Sequence, residues 1–259
     1  MIKITFLGTC SGTEPMPNMH HCSVVFEIAD KYYWFDAGEN CSHAAYTAGF
    51  DVTRIRAIFV SHLHIDHIGG LANLIFTVNK VANMYGNKHI NNGAYDIFTP
   101  SNTAFNSIKL LAQSFREPTK KDVMIFEHEV SDGVIFDDGA VKVTALHNTH
   151  LKEDGLCGWH SYSYLIESSG KRIVFSGDVG APSELDSLIG DGCDVLIMET
   201  GHHSVSSVLE YAKSKNIKKL LFNHHGREIL RDRDAALALI SASGVDANIC
   251  YDMMTFEVK

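Results

Sequence analysis

Ser61-His62-Leu63-His64-Ile65-Asp66-His67 follows an apolar run at residues 55–60 and precedes Ile68-Gly69-Gly70-Leu71. Four of these seven residues carry an imidazole or a carboxylate, the ligands of zinc and of its harder divalent relatives. At the end of an extended strand, residues two apart project to the same side, so His62 and His64 can grip one ion together. Asp66 and His67 come where the chain turns into a helix-like segment and can face a second ion. The spacing predicts a dinuclear metal site. Fifteen histidines in 259 residues make some close pairs a matter of chance. This run differs in lying after a buried strand and before two glycines that permit close backbone approach, with more His and Asp at later strand ends.

Working outward, the length and the 45% hydrophobic content fit one compact α/β domain over residues 1–259. Residues 1–6 alternate like a strand, so no secretory leader is expected, and no apolar run is long enough to span a bilayer. Cys10, Cys22, Cys41, Cys157, Cys193 and Cys250 form no C-x-x-C pair, which suits reduced thiols and a cytoplasmic location. Cys157, near the later ligand candidates, reads as a small apolar residue before it reads as a ligand. The formal charge of −9 speaks against broad affinity for a nucleic-acid backbone, although bound divalent metals would cancel part of it locally.

Strands are expected at residues 1–7, 23–28, 32–35 and 57–60, with a short helix at 42–49 ended by glycine. Residues 71–113 read as a covering insert: a helix after Gly70, a Gly/Asn-rich stretch at 86–93, a strand ending at Pro100 and a helix from Thr103. A second block offers strands at 123–127, 141–145, 163–167, 172–176 and 195–198, and helices at 205–214 and 235–242. Strands at 219–223 and 248–251 close it.

The later ligand candidates fall at strand ends on this map. Asp178, in Ser176-Gly177-Asp178, ends a buried strand in a glycine-flanked turn and could bridge two ions. His224 tips the strand at 219–223, with His225 as its rival. The segment at 143–150 offers His147 and His150, and spacing alone does not choose between them.

With these residues assembled, the chain resembles the metallo-β-lactamase superfamily nearly from end to end. Phe6-Leu-Gly-Thr-Cys-Ser-Gly12, Trp34-Phe-Asp-Ala-Gly-Glu39, the H-x-H-x-D-H run, Ser176-Gly-Asp178 and a final strand-end histidine occur in that family's order. The likeness is closest to the branch holding the tRNA 3′-processing endonuclease RNase Z and related phosphodiesterases. It implies a four-layer αβ/βα sandwich with two metals at the upper edge of facing sheets. The family pattern V-x-A-x-x-x-x-H aligns with Val143, Ala145 and His150 and sets His147 aside. By resemblance, His62, His64 and His150 would hold one ion, Asp66, His67 and His224 the other, and Asp178 both. Glu199 would match an acidic residue, and His203 a histidine, that help move protons, with His202 as the rival of His203.

The ligand set implies a metal-bound hydroxide attacking the substrate, oriented by Asp66, with His203 protonating the leaving group. Zinc suits the His-rich set, and manganese or iron would suit the carboxylates. RNase Z's long Gly/Pro-rich arm has little room here, and its basic early loop is replaced by Pro15-Met-Pro-Asn-Met-His-His21. A small or cyclic nucleotide-type phosphodiester is therefore the expected substrate, and a folded tRNA is the alternative. A thioesterase, a lactamase or a non-catalytic metal-dependent sensor on the same scaffold are the other classes. No membrane partner is expected, and self-association is left open.

Overall fold

The computed structural model describes residues 1–85, 93–113, 123–151 and 159–259. The opening strands β1 (Ile2–Gly8), β2 (Ser23–Ile28) and β3 (Lys31–Phe35) form an antiparallel meander. Helix α1 (Cys41–Thr47) leads to β4 (Ile55–Phe59), followed by α2 (Ile65–Ile68), α3 (Leu71–Tyr85), β5 (Ala94–Thr99), α4 (Asn102–Gln113) and β6 (Met124–Glu129). Three antiparallel strands come next: β7 (Gly133–Asp137), β8 (Lys142–His147) and β9 (Tyr162–Ser168). Then come β10 (Lys171–Phe175), α5 (Asp186–Ile189), β11 (Val195–Thr200), α6 (Val205–Lys213) and β12 (Leu220–His225). The chain finishes with α7 (Arg227–Arg231), α8 (Arg233–Ser243), β13 (Ala247–Ile249) and β14 (Thr255–Val258).

Among the described residues these strands make two seven-stranded sheets, ordered β14-β1-β2-β3-β4-β5-β6 and β13-β12-β11-β10-β9-β8-β7. Strands β3 to β6 are parallel, as are β10 to β13, so each sheet sends a row of carboxyl ends to one edge. Between the sheets lies an aromatic core: Phe59 stacks on Phe35 at 4.8 Å and on Phe98 at 4.9 Å, and Tyr164 and Phe175 each meet Phe35 at 5.6 Å. A second core joins the first sheet's outer face to α1 and α3. A third joins the other sheet to α6 and α8, which completes the four layers.

Residues 71–113 depart from the expected cover. Leu71, Leu74, Ile75, Val78 and Ala82 recur at helical spacing and are buried against the first sheet, so α3 belongs to its outer helical layer. Strand β5 is inserted between β4 and β6. A strand buried on both faces reads as an apolar run, which a sequence cannot distinguish from part of an insert. Most of the Gly/Asn-rich stretch, residues 86–92, and Cys157 lie outside the described residues. Strand β14 was not anticipated. It is four residues long, sits at a sheet edge, and pairs with β1 from the far end of the sequence.

The sheets are also joined at the edge that carries the histidines. The Tyr164 hydroxyl donates to the Val60 carbonyl at 2.7 Å, Tyr162 N donates to the Ser61 carbonyl at 2.9 Å, and Ser11 N donates to the His225 carbonyl at 3.2 Å. Phe59→Ala, which empties the centre of the aromatic stack, should cost about 3–5 kcal/mol in a denaturant titration. A loss under about 1 kcal/mol would mean that the inter-sheet core is not what holds the layers together.

Candidate metal centre

Strand β4 delivers the histidine run to the sheet edge, and Asp36 at the end of β3 fixes its start. Asp36 accepts hydrogen bonds from Ser61 N at 2.7 Å, Ser61 Oγ at 2.9 Å and His67 Nδ1 at 2.7 Å. The last contact fixes the His67 ring through its Nδ1–H and turns Nε2 inward, where it would offer a lone pair to a cation once its proton is displaced. Asp36 adopts φ +57°, and His224 at the end of β12 adopts φ +49°, both in the left-handed region that non-glycine residues rarely occupy.

Two groups of donor atoms converge. In the first, His62 Nε2 and His64 Nδ1 are 3.0 Å apart, His64 Nδ1 and His150 Nε2 are 3.2 Å apart, and Asp178 Oδ2 is 3.7 Å from both His62 and His150. In the second, His67 Nε2 and His224 Nε2 are 3.1 Å apart, with Asp66 Oδ2 at 3.4 Å from the former and 3.1 Å from the latter. Asp178 Oδ1 lies 3.4 Å from His67 Nε2. Four ligands at bonds of about 2.0–2.1 Å around a tetrahedral ion are spaced by about 3.3 Å, so both groups have the dimensions of such a cage. The two oxygens of Asp178 divide between the groups. Oδ1 is buried and accepts no hydrogen bond, as a carboxylate oxygen suited to a cation would be.

The two groups differ electrostatically. Burial holds His62 well below the usual imidazole pKa and lowers His150 as well. Burial also opposes charge on His67 and His224, but Asp178 outweighs it for both, aided by Asp36 at His67 and by Asp66 at His224. The result raises His67 well above its usual value and His224 to about 9. For Asp66 and Asp178 burial opposes ionisation, yet His224 and His67 outweigh it and hold both carboxyls far below the ordinary range. His62 and His150 in the first group thus favour the neutral imidazole, whereas the second group is an interlocked set of imidazolium and carboxylate from which a cation would displace protons.

Glu199, at the end of β11, is buried beside this centre. Burial resists its ionisation, but the hydrogen bond from His202 prevails and takes the carboxyl down to about 2. Of the two rival histidines, His202 is the nearer to Glu199. His202 Nδ1 is 3.2 Å from Glu199 Oε1, and the His202 ring lies 4.8 Å from that of His150. His203 Nε2 instead donates to the Val179 carbonyl at 3.0 Å, although it also passes 3.5 Å from Glu199 Oε1. Ser204 caps α6 by accepting from Ser207 N, and this start directs the two histidines differently. The hydrogen bond to Glu199 raises the His202 pKa.

The remaining rivals are placed elsewhere. His147 pairs with Asp132 at 2.7 Å and stacks on Trp159 at 4.0 Å. His225 donates to the Cys250 carbonyl at 2.9 Å, and burial lowers its pKa to about 4. Asp36 adds a positioning role that its motif Trp34-Phe-Asp-Ala-Gly-Glu39 does not reveal by spacing, since it depends on β3 and β4 lying side by side.

Above the donors opens a cleft of about 450 Å³ lined by Ser11, Gly12, Thr13, Ile65, His202 and Arg227 together with His64, Asp66, Asp178 and His224. Two glycines are set by close approach. A Cβ on Gly201 would come within 2.6 Å of the His224 ring, and one on Gly12 within 2.9 Å of the Asp66 carboxylate. His20 and His21, in the early loop, do not line this cleft; both face Glu39, His21 at 2.8 Å.

A family model described as "Anti-Pycsar protein Apyc1" matches residues 2–237. The ribonuclease Z of Methanothermobacter thermautotrophicus is 23% identical, with 100% of this chain and 97% of that protein covered. The alignment runs to 313 positions, 54 more than this chain has residues. Among solved structures, the metallo-β-lactamase fold protein YhfI of Bacillus subtilis superposes with a TM-score of 0.74 at 17% identity, covering 98% of both chains. The short form of human tRNase Z superposes with a TM-score of 0.70 at 19% identity, covering 99% of both. Fold, donor groups and full-length matches agree: the chain belongs to the Anti-Pycsar protein Apyc1 family, and is a metal-dependent hydrolase of the metallo-β-lactamase fold related to ribonuclease Z.

Proposed function

We propose that this single hydrolase domain binds two divalent ions, zinc by the chemistry of its donors, and cleaves small phosphodiesters of the cyclic nucleotide type. The observation that carries the reading is the carboxylate of Asp178, whose two oxygens each face a separate group of donors. His62, His64 and His150 would hold one ion and Asp66, His67 and His224 the other, with Asp178 shared. The ions would supply a water acidified toward a pKa of about 7 and positive charge beside the phosphoryl oxygens.

The protein's own groups do the rest. Asp66 lines the cleft and can orient the attacking water. His202, with Nδ1 on Glu199, has Nε2 left to pass a proton to the departing alkoxide, and Glu199 fixes the ring for that role. His203 is not proposed for it, because its Nε2 is engaged by a backbone carbonyl.

Substrate size follows from the cleft. A volume of about 450 Å³ suits a mononucleotide-sized ligand. The net charge of −9 and the 54 alignment positions that this chain lacks beside an archaeal ribonuclease Z both favour a small diester over a folded RNA. Full-length similarity to ribonuclease Z supports tRNA 3′ processing as the second reading.

His64→Ala and Asp178→Ala should each lower metal content and abolish hydrolysis of bis-p-nitrophenyl phosphate; two ions per chain with full activity in either variant would refute the ligand set. His150→Ala should cost far more metal than His147→Ala, as read by elemental analysis, and the reverse order would exchange their roles.

His202→Ala should retain its metal while kcat falls by about 10²–10⁴ for a cyclic nucleotide, which expels a ribose alkoxide. The fall should be smaller for bis-p-nitrophenyl phosphate, whose nitrophenolate needs little protonation. Equal losses on the two substrates would remove His202 as the proton donor.

Purified protein should hydrolyse cyclic nucleotides faster than it removes the 3′ trailer of a precursor tRNA, in a chelator-sensitive manner. Preference for the tRNA would transfer the assignment to RNA processing.

A further inference from the structure

We propose that Arg227, held in place by Glu14, is a specificity-determining residue that binds the nucleoside part of the substrate. This rests on the reading of the site as a cleaver of cyclic nucleotide-type diesters. Arg227 opens α7 immediately after Gly226, whose backbone packs so closely on the turn after β11 that a Cβ there would lie 2.7 Å from the Thr200 carbonyl. The guanidinium is thereby carried on a rigid wall of the cleft. It is the one Lys or Arg among the described residues that line it.

The pairing of Arg227 decides what it can recognise. Its Nε and Nη2 reach Glu14 Oε2 at 3.1 and 3.0 Å, across a sequence separation of 213 residues. The pair therefore joins the loop after β1 to the helix after β12. Both side chains are 59% exposed at the cleft mouth. Within the centre, two divalent ions held by the donor groups would supply the positive charge that a singly negative diester needs. The charge of Arg227 is matched by Glu14, so a further anion finds little net attraction there.

The pair keeps directional polarity. With Nε and Nη2 committed to Glu14, Nη1 remains as a donor, and Glu14 adds carboxylate lone pairs as acceptors. A donor held in the fixed guanidinium plane beside an acceptor complements the edge of a nucleobase or the hydroxyls of a ribose, which are neutral and rich in both kinds of group. The same wall holds Ser11, whose buried Oγ makes no hydrogen bond within the protein. The exposed Ile65 supplies an apolar surface in the same cleft. The metal centre would hold the phosphoryl group, and the Glu14–Arg227 wall what is attached to it.

The test compares steady-state kinetics on a 3′,5′-cyclic nucleotide with those on bis-p-nitrophenyl phosphate, which has no nucleoside. Arg227→Ala should raise KM for the cyclic nucleotide about tenfold or more beyond any rise for the nitrophenyl diester, the loss of a hydrogen bond from a charged donor. The effect should fall on KM rather than kcat, as expected for binding energy equal in ground and transition states. Arg227→Lys should behave like Arg227→Ala, because it keeps the charge and loses the fork, and Glu14→Gln should raise KM by a smaller factor.

Equal changes on the two substrates, a loss confined to kcat, or full rescue by lysine would each overturn the proposal. An unsubstituted protein that hydrolyses the nitrophenyl diester but no cyclic nucleotide would overturn this proposal and the functional reading together. Cleavage of cyclic nucleotides with a KM indifferent to Arg227→Ala would overturn this one alone.

Discussion

Four carboxylates, Asp36, Asp66, Asp178 and Glu199, are buried together at one end of the gap between two apolar sheets. A buried charge without a partner is among the costliest features a fold can contain, so this end of the molecule is organised around its compensation. His67 faces Asp36, Asp66 and Asp178; His224 faces Asp66 and Asp178; His202 faces Glu199. The left-handed backbone at Asp36 and His224 is the local strain accepted to aim these groups. The balance is collective, because Asp66 and Asp178 each answer to both His67 and His224 while His67 answers to three acids, and removing one partner leaves several others uncompensated.

How much of this was legible in the sequence depended on how local each signal was. His62, His64, Asp66 and His67 lie in one run of period-two and turn spacing, and Asp178 and His224 each end an apolar strand, so a short window suffices to mark them. Asp36 stands in an equally conspicuous motif, but its task, to orient His67 and Ser61, exists only once β3 and β4 are side by side. His202 and His203 are adjacent, and which one turns to the cleft is decided by the start of α6 and by the Val179 carbonyl, neither visible in the spacing. Burial hides periodicity in the layers: β5 is buried along its whole length, so its sequence does not separate a central strand from part of a cover.

Chemistry and selectivity occupy different kinds of structure here. The donor groups stand mainly at the ends of strands locked between neighbours, whereas Ser11, Gly12, Thr13 and Arg227 belong to the loop after β1 and to a short helix. Rigid strand ends keep interatomic spacings within the narrow tolerance that a metal demands. Loops can be lengthened, shortened or recharged without disturbing them. The similarity to ribonuclease Z alongside a shorter chain fits that division.

Strand β14 gives the fold a particular order of assembly. It completes the first sheet by pairing with β1, and just before it Asp252 accepts hydrogen bonds from Thr9 N and His20 N, at the two ends of the loop that carries Ser11, Gly12 and Thr13. Strand β1 therefore waits for a partner far later in the chain, and this wall of the cleft is pinned only when residues more than two hundred positions on have been made. Until then a buried-type edge of β1 stays open to other chains, so the period of synthesis is the interval in which this protein is most exposed to mispairing.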